Sequence, residues 1–310
     1  MPDPIAADPV AADPVASGAL VRGSETAQAR GHPQPRSRGP GPRRPPGFAG
    51  AGTLAALLAI GSPVPAQATS AGPTSVNPAA LDWRSVGTLE VAATETTIGQ
   101  FRRWVQATST VTAAERAGGG QLYEGGWVQR RGWTWARPFG SGHTPHDDEP
   151  AVHVTFDEAR AFCAWAGGRL PREAEWRRAA YTEQRAQPPA PFQTGRAYPY
   201  PTGDRPDGAQ CLDDCGPQAA ARAVKHGVPL SRGIGPARAG ATPPGVNGLH
   251  DLGANVWEWV DDPPGDGERL TLGGSWWYGA GPMHADHRAS KPRHTAVVYI
   301  GFRCVRDAKR

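Results

Sequence analysis

All 11 tryptophans of this chain fall between Trp83 and Trp277, while the first 80 residues hold 14 of the 33 prolines and neither Trp nor Tyr. Only the Trp-bearing stretch carries enough apolar surface to offset the entropy of ordering a chain. Residues 1–40 are therefore expected to be a disordered extension. The full 310 residues would allow one large domain or two small ones. With the leader set aside, a single domain over residues 82–306 is expected.

Residues 41–68 read as an export signal. Arg36, Arg38, Arg43 and Arg44 are the basic approach, FAGAGTLAALLAI (48–60) is an apolar run, and Ala66-Gln67-Ala68 is a small-x-small cleavage site after Pro63 and Pro65. Residues 69–81 are then a linker, and the expected location is the bacterial periplasm or the outside of the cell. No run reaches the roughly 20 apolar residues of a membrane span. Cleavage after Ala68 would remove six Arg and four acids, taking the net charge from +4 to +2. The charges that remain are interspersed, with no basic stripe for nucleic acid.

The mature part reads as short elements punctuated by Gly and Pro, an α+β pattern without internal repeat. A strand is expected over 89–93. A helix capped by Thr97 follows, with Phe101, Trp104 and Val105 on one face. Residues 117–150 read as irregular. A strand over 152–156 leads to a helix capped by Asp157, whose Ala159, Phe162, Cys163 and Ala166 form a stripe that Gly167-Gly168 ends. Pro171 begins a further helix with Ala174, Trp176 and Ala180. The long run from Gln184 to Gly245 is poor in regular structure, which points to function or to a special fold. Short strands are expected around Val256-Trp257, over 270–277 and over 299–305.

Several residues carry chemistry in themselves. Glu173 and Glu175 sit near a helix start beside Arg169, a structural ion network rather than an acid–base pair. On a strand, Trp257 and Trp259 face one way and Glu258 the other. Asp251 and Glu258 bracket a glycine-containing bend, and hard oxygen ligands on such a loop suit calcium. Four cysteines in an exported chain read as two disulfides, with three possible connectivities.

Four motifs occur in order: AFCAWAGGRLPREAEWRRAA (161–180), PPGVNGLHDLGANVWEW (243–259), GGSW (273–276) and IGFRC (300–304). Together with ETTIGQF, WARPFG and DEPAVHVTF upstream, they resemble the formylglycine-generating enzyme, or sulfatase-modifying factor, family. The resemblance implies a single α+β domain with unusually little regular structure, related to the C-type-lectin-like fold. It implies a bridge between Cys163 and Cys304, which leaves Cys211 and Cys215 for each other. It also implies a structural calcium held by the Asp251 and Glu258 side chains and the carbonyls of Ala254 and Val256, with Ala254 where the family usually has Gly. At the family's other calcium site Cys211 stands in place of an expected Asn.

The segment GGSWWYGAGPMHADHR (273–288) departs from the family's chemistry. Catalytic members carry two cysteines after GGS that bind copper(I) as thiolates; here Tyr278 and Met283 stand at those positions. A phenol ionising near pH 10 and a neutral thioether do not supply thiolate ligands. Copper is therefore not expected at this site, and formylglycine generation is the least favoured function. Ser275, Trp276, Trp277, Met283 and His287 are expected to line an aromatic pocket, with Tyr278 and His284 as candidates for proton transfer. The cluster His284, Asp286, His287 reads either as ligands for iron or zinc or as ordinary exposed polar residues.

This plan resembles the cysteine-less members of the family, among them the periplasmic member that matures pyoverdine. The expected function is an exported oxidoreductase tailoring a peptide or peptide-derived metabolite, as a monomer. The alternative is a non-catalytic peptide- or protein-binding module of the same fold.

Overall fold

Three of the helices start in the same way, with a threonine whose hydroxyl accepts from the third backbone N–H while the third side chain reaches back to the cap. Thr97 with Gln100 opens α1 (Ile98–Thr108), Thr112 with Glu115 opens α2 (Ala113–Arg116), and Thr155 with Glu158 opens α3 (Phe156–Trp165). These and all other elements belong to a computed structural model that describes residues 78–265 and 267–308. The expected extension, the export signal and most of the linker lie outside the described residues. The chain divides into two units, Met1–Pro73 and Thr74–Arg310, and every described residue belongs to the second.

The elements are short. Strand β2 (Leu89–Ala92) pairs on one side with β1 (Trp83–Val86) and on the other with β9 (Val305–Asp307) in one antiparallel sheet. A hairpin of β3 (Gln121–Tyr123) and β4 (Trp127–Gln129) stands apart from it. The third sheet has the order β7-β6-β5-β8, from β5 (Trp257–Val260), β6 (Glu268–Leu272), β7 (Ala289–Pro292) and β8 (Ile300–Gly301), with β5 and β8 parallel. Two further helices are α4 (Glu173–Tyr181) and α5 (Gln218–Arg222). This is an α+β fold with much irregular backbone, and α5 is the only helix within the long run from Gln184 to Gly245.

Three readings of the sequence need correction. The segment PAVHVTF forms no strand, because His153 takes a left-handed φ of 56° and turns the chain. Thr155, not Asp157, caps α3; Asp157 lies inside it and its carboxylate accepts from the Arg293 guanidinium. Residues 117–150 are not wholly irregular, since they contain the β3–β4 hairpin.

The core joins α1 and α3 to the C-terminal segment. Phe162 stacks with Phe101 at 5.8 Å and meets Phe302 edge-on at 5.3 Å. Cys163 on α3 is bonded to Cys304, with Cα atoms 5.5 Å apart and a sequence separation of 141. Closing a loop of that size stabilises by about 5 kcal/mol in the chain-entropy account. The bridge fixes the segment that carries Arg303 against α3.

Candidate functional site

The WEW and GFRC motifs meet in one buried ion pair. Alternation along β5 points Glu258 away from Trp257 and Trp259, as expected, and Arg303 reaches it from the segment between β8 and β9. Arg303 Nε donates to both Glu258 oxygens at 2.8 Å, and its Nη2 lies 2.7 Å from Oε1. Its Nη1 donates to the Ala92 carbonyl at 3.1 Å and its Nη2 to the His250 carbonyl at 2.8 Å. Trp176 on α4 donates its indole N–H to Glu258 Oε2 at 2.7 Å. Both Glu258 and Arg303 are about 1% exposed, so the pair is stable only because these donors and acceptors are saturated.

Two more buried acids surround this pair. Asp251 accepts from the Thr242 hydroxyl at 2.6 Å and from the Gly240 N–H at 2.5 Å. Glu95 accepts from Asn255 Nδ2 at 2.6 Å and from the Val256 N–H at 3.0 Å. Burial, and then the nearby Asp251 and Glu258, push the Glu95 carboxyl well above the usual carboxylate range; Arg303 and the Val256 N–H act in the opposite direction.

In the expected calcium set of Asp251, Ala254, Val256 and Glu258, both side chains already have partners: Glu258 is bonded to Arg303 and Trp176, and Asp251 to Thr242 and the Gly240 N–H. Among the described residues, His284, Asp286 and His287 do not converge as a three-ligand metal site. His284 Nδ1 lies 3.5 Å from Asp286 Oδ2, while the His287 ring packs on Trp257 at 5.7 Å.

The GGSW segment turns its side chains inward. Ser275, Trp276, Trp277 and Met283 are fully buried and Tyr278 is 9% exposed. The expected pocket lined by these residues is therefore filled by the residues themselves. Trp276 and Trp277 meet edge-on at 5.3 Å, Trp277 stacks on Tyr299 at 5.9 Å, and Tyr278 meets Trp257 at 6.0 Å. His284 and His287 are half-buried at the edge of this cluster, and His284 lies against Tyr200 at 5.3 Å.

A segment from the long irregular run lies over the indoles. Gly233, at φ +88°, comes so close that a Cβ there would sit 2.3 Å from Trp276 and 2.7 Å from Trp277. Only glycine allows that approach. Arg232 lies 5.1 Å over the Tyr278 ring and 5.8 Å over Trp277, and its Nε donates to the Trp277 carbonyl at 3.0 Å. Phe139 completes the cover, 6.0 Å from Trp276 and stacked on His226 at 4.0 Å. The sequence signals for this cover were the length of the irregular run and the RGIG glycines, which do not say what they pack on.

The four cysteines are all in disulfides. Cys211 is bonded to Cys215, and the Cys215 sulfur lies 4.0 Å from Met283 Sδ. Leu212 N–H donates to the Tyr278 carbonyl at 2.9 Å. The bridge thus backs Tyr278 and Met283, and it packs there with Ala209, Ala254 and Ala280. No free thiol is present to hold copper at that place.

A short-element α+β domain whose EAEW, WEW and GFRC motifs close on one buried ion pair, with GGSW beside it, defines the class. The sulfatase-modifying factor enzyme 1-like domain matches residues 66–308, and the chain belongs to that family. It is 26% identical over 254 residues to the formylglycine-generating enzyme of Bos taurus, covering 69% of this chain and 64% of that protein. It is 35% identical over 164 residues to the hercynine oxygenase of Mycolicibacterium thermoresistibile, covering 45% of this chain and 32% of that one. The chain thus spans less than two thirds of the length of either relative. Among solved structures, that of PvdO from Pseudomonas aeruginosa aligns with a TM-score of 0.48 at 17% identity, over 71% of this chain and 80% of that one.

Proposed function

We propose that this chain is an exported, monomeric oxidoreductase of the formylglycine-generating enzyme family that tailors a peptide or peptide-derived metabolite without a copper-binding cysteine pair. The observation that carries the reading is that Tyr278 and Met283 stand where that pair is expected, in a domain that keeps the AFCAW, WEW, GGSW and GFRC motifs. Relatives named for an oxygenase and for formylglycine generation support an oxidative reaction. Export rests on the basic, apolar and small-x-small sequence of residues 41–68. In this reading Tyr278 and His284, at the edge of the aromatic cluster, move the proton.

A second reading is favoured by one feature of the site. Ser275, Trp276, Trp277 and Met283 are fully buried beneath Gly233 and Arg232, which suits a binding module that has lost turnover. Oxygen uptake with peptide or siderophore-precursor substrates separates the two. Uptake that disappears in Tyr278→Phe or His284→Ala supports the enzyme. Binding of a Cys-x-Pro-x-Arg peptide without oxygen uptake supports the module. Activity that survives both substitutions overturns the assignment of those residues.

A further inference from the structure

A cavity of about 340 Å³ has His143, His146, Arg222, Lys225 and Arg238 in its lining. We propose that it is a second binding site, for a compact oxyanion carrying two or more negative charges. Three permanent cations and two imidazoles line it, and no carboxylate does. Two acids meet lining residues from outside the cavity, and among the described residues they leave Arg222 and Lys225 without an ion pair. Glu149 accepts from His143 Nε2 and from the His146 N–H, both at 2.8 Å, and Asp148 meets Arg238 at 3.3 Å at the exposed surface.

Arg222 is the strongest indication. It ends α5 with its Nη2 donating to the carbonyls of Gly208 at 3.0 Å and Ala209 at 2.7 Å. Its Nε is buried and has no hydrogen-bond partner. Burial works against its charge and the Asp251 carboxylate favours it from a distance, but among the described residues no carboxylate forms an ion pair with it. A partly desolvated guanidinium whose Nε–H has no acceptor is costly, and an incoming oxyanion reduces that cost. Lys225 and the His146 ring make no hydrogen bond or ion pair among the described residues, so both remain available to a ligand. A planar fork beside a mobile ammonium suits phosphate and sulfate groups, and the volume accommodates a small ester or free anion.

Equilibrium dialysis or calorimetry on the full chain tests this, with pyrophosphate, sulfate and succinate as separate probes. Saturable binding of at least one of them with a Kd at or below about 1 mM is expected. It should weaken roughly tenfold or more in Lys225→Glu and become weaker with added salt. Lys225 is exposed and His146→Ala removes only an exposed ring, so both variants should keep the wild-type melting temperature even where Arg222→Ala fails to fold. The probe that binds best tells a phosphate source from a sulfate or a carboxylate one. Absence of saturable binding by all three, or affinities unchanged in both Lys225→Glu and His146→Ala, overturns the proposal.

Discussion

The Glu258–Arg303 pair and the Trp276–Met283 segment are buried alike, yet they are held by different physics. Around Glu258 both carboxylate oxygens and all three guanidinium nitrogens have named partners. Around Met283 the contacts are apolar and aromatic, with two disulfide sulfurs and three alanines for neighbours. Saturated charge tolerates no loss of a partner, whereas an apolar cluster accepts volume-conserving exchange. The family's motif residues at the ion pair therefore fix the fold, and those at the GGSW segment are where side chains can change without unfolding it.

Arg303→Met tests that contrast with the largest expected effect. It strands the Glu258 carboxylate in the core, and breaking one side of a buried pair costs about 3–5 kcal/mol. Urea unfolding of the variant should show a loss of that size, with part of it recovered by the further change Glu258→Gln. A loss under about 1 kcal/mol would mean that the pair does not organise the domain. Calcium offers a second way to break the contrast. Because Glu258 is committed to Arg303, adding calcium to chelator-treated protein should leave the melting temperature where it was. A rise that disappears in Asp251→Ala would restore the ligand set implied by the resemblance.

His153 sharpens the comparison, being a fully buried titratable group with no counter-ion. Burial lowers its pKa from about 6.5 to about 4, against hydrogen bonds to backbone carbonyls that act the other way; Nε2 donates to the Pro138 carbonyl at 3.0 Å. The unfolded chain therefore takes up this proton first. The stability contributed by neutral His153 is fully present above about pH 6.5 and is lost as the pH falls through about 4. At 1.36 kcal/mol per pKa unit the loss amounts to roughly 3 kcal/mol. Asn tolerates the left-handed backbone at this position, so His153→Asn should unfold with a flatter acid limb than the wild type. Parallel pH profiles for the two proteins would remove His153 as the cause.

How much of this was legible depended on whether the signal was local. Thr97 with its apolar stripe, Cys163 on its helix and the alternation of Trp257, Glu258 and Trp259 are short-range patterns, and the structure has them in those places. The identities of Tyr278 and Met283 were legible because they depend on residue type alone. The pairing of Glu258 with Arg303 was not, since 45 residues separate the partners and nothing between them encodes the meeting. Nor was the filling of the aromatic pocket, because burial of Trp276 and Trp277 is decided by Gly233 and Phe139 from distant segments. The failed strand at 152–156 shows the converse. Val152 and Val154 carry a strand pattern, and one left-handed histidine between them overrides it.

The smallest expected effect lies on the seam between the two regions. Ala254 has φ +61°, a left-handed conformation that costs a residue with a Cβ about 1–2 kcal/mol. Ala254→Gly removes that cost. It also frees the unfolded chain, worth about 0.4–1 kcal/mol, and withdraws a methyl group from the cluster around Met283, worth about 0.8 kcal/mol. These contributions oppose one another, so the net change in unfolding free energy should stay under about 1 kcal/mol, with the melting temperature moving by only a few degrees. A gain well above that would show that the loop between Asp251 and Glu258 is held in strain by the ion pair on one side alone. A loss well above it would place Ala254 in the apolar cluster and make the Met283 side the less plastic of the two.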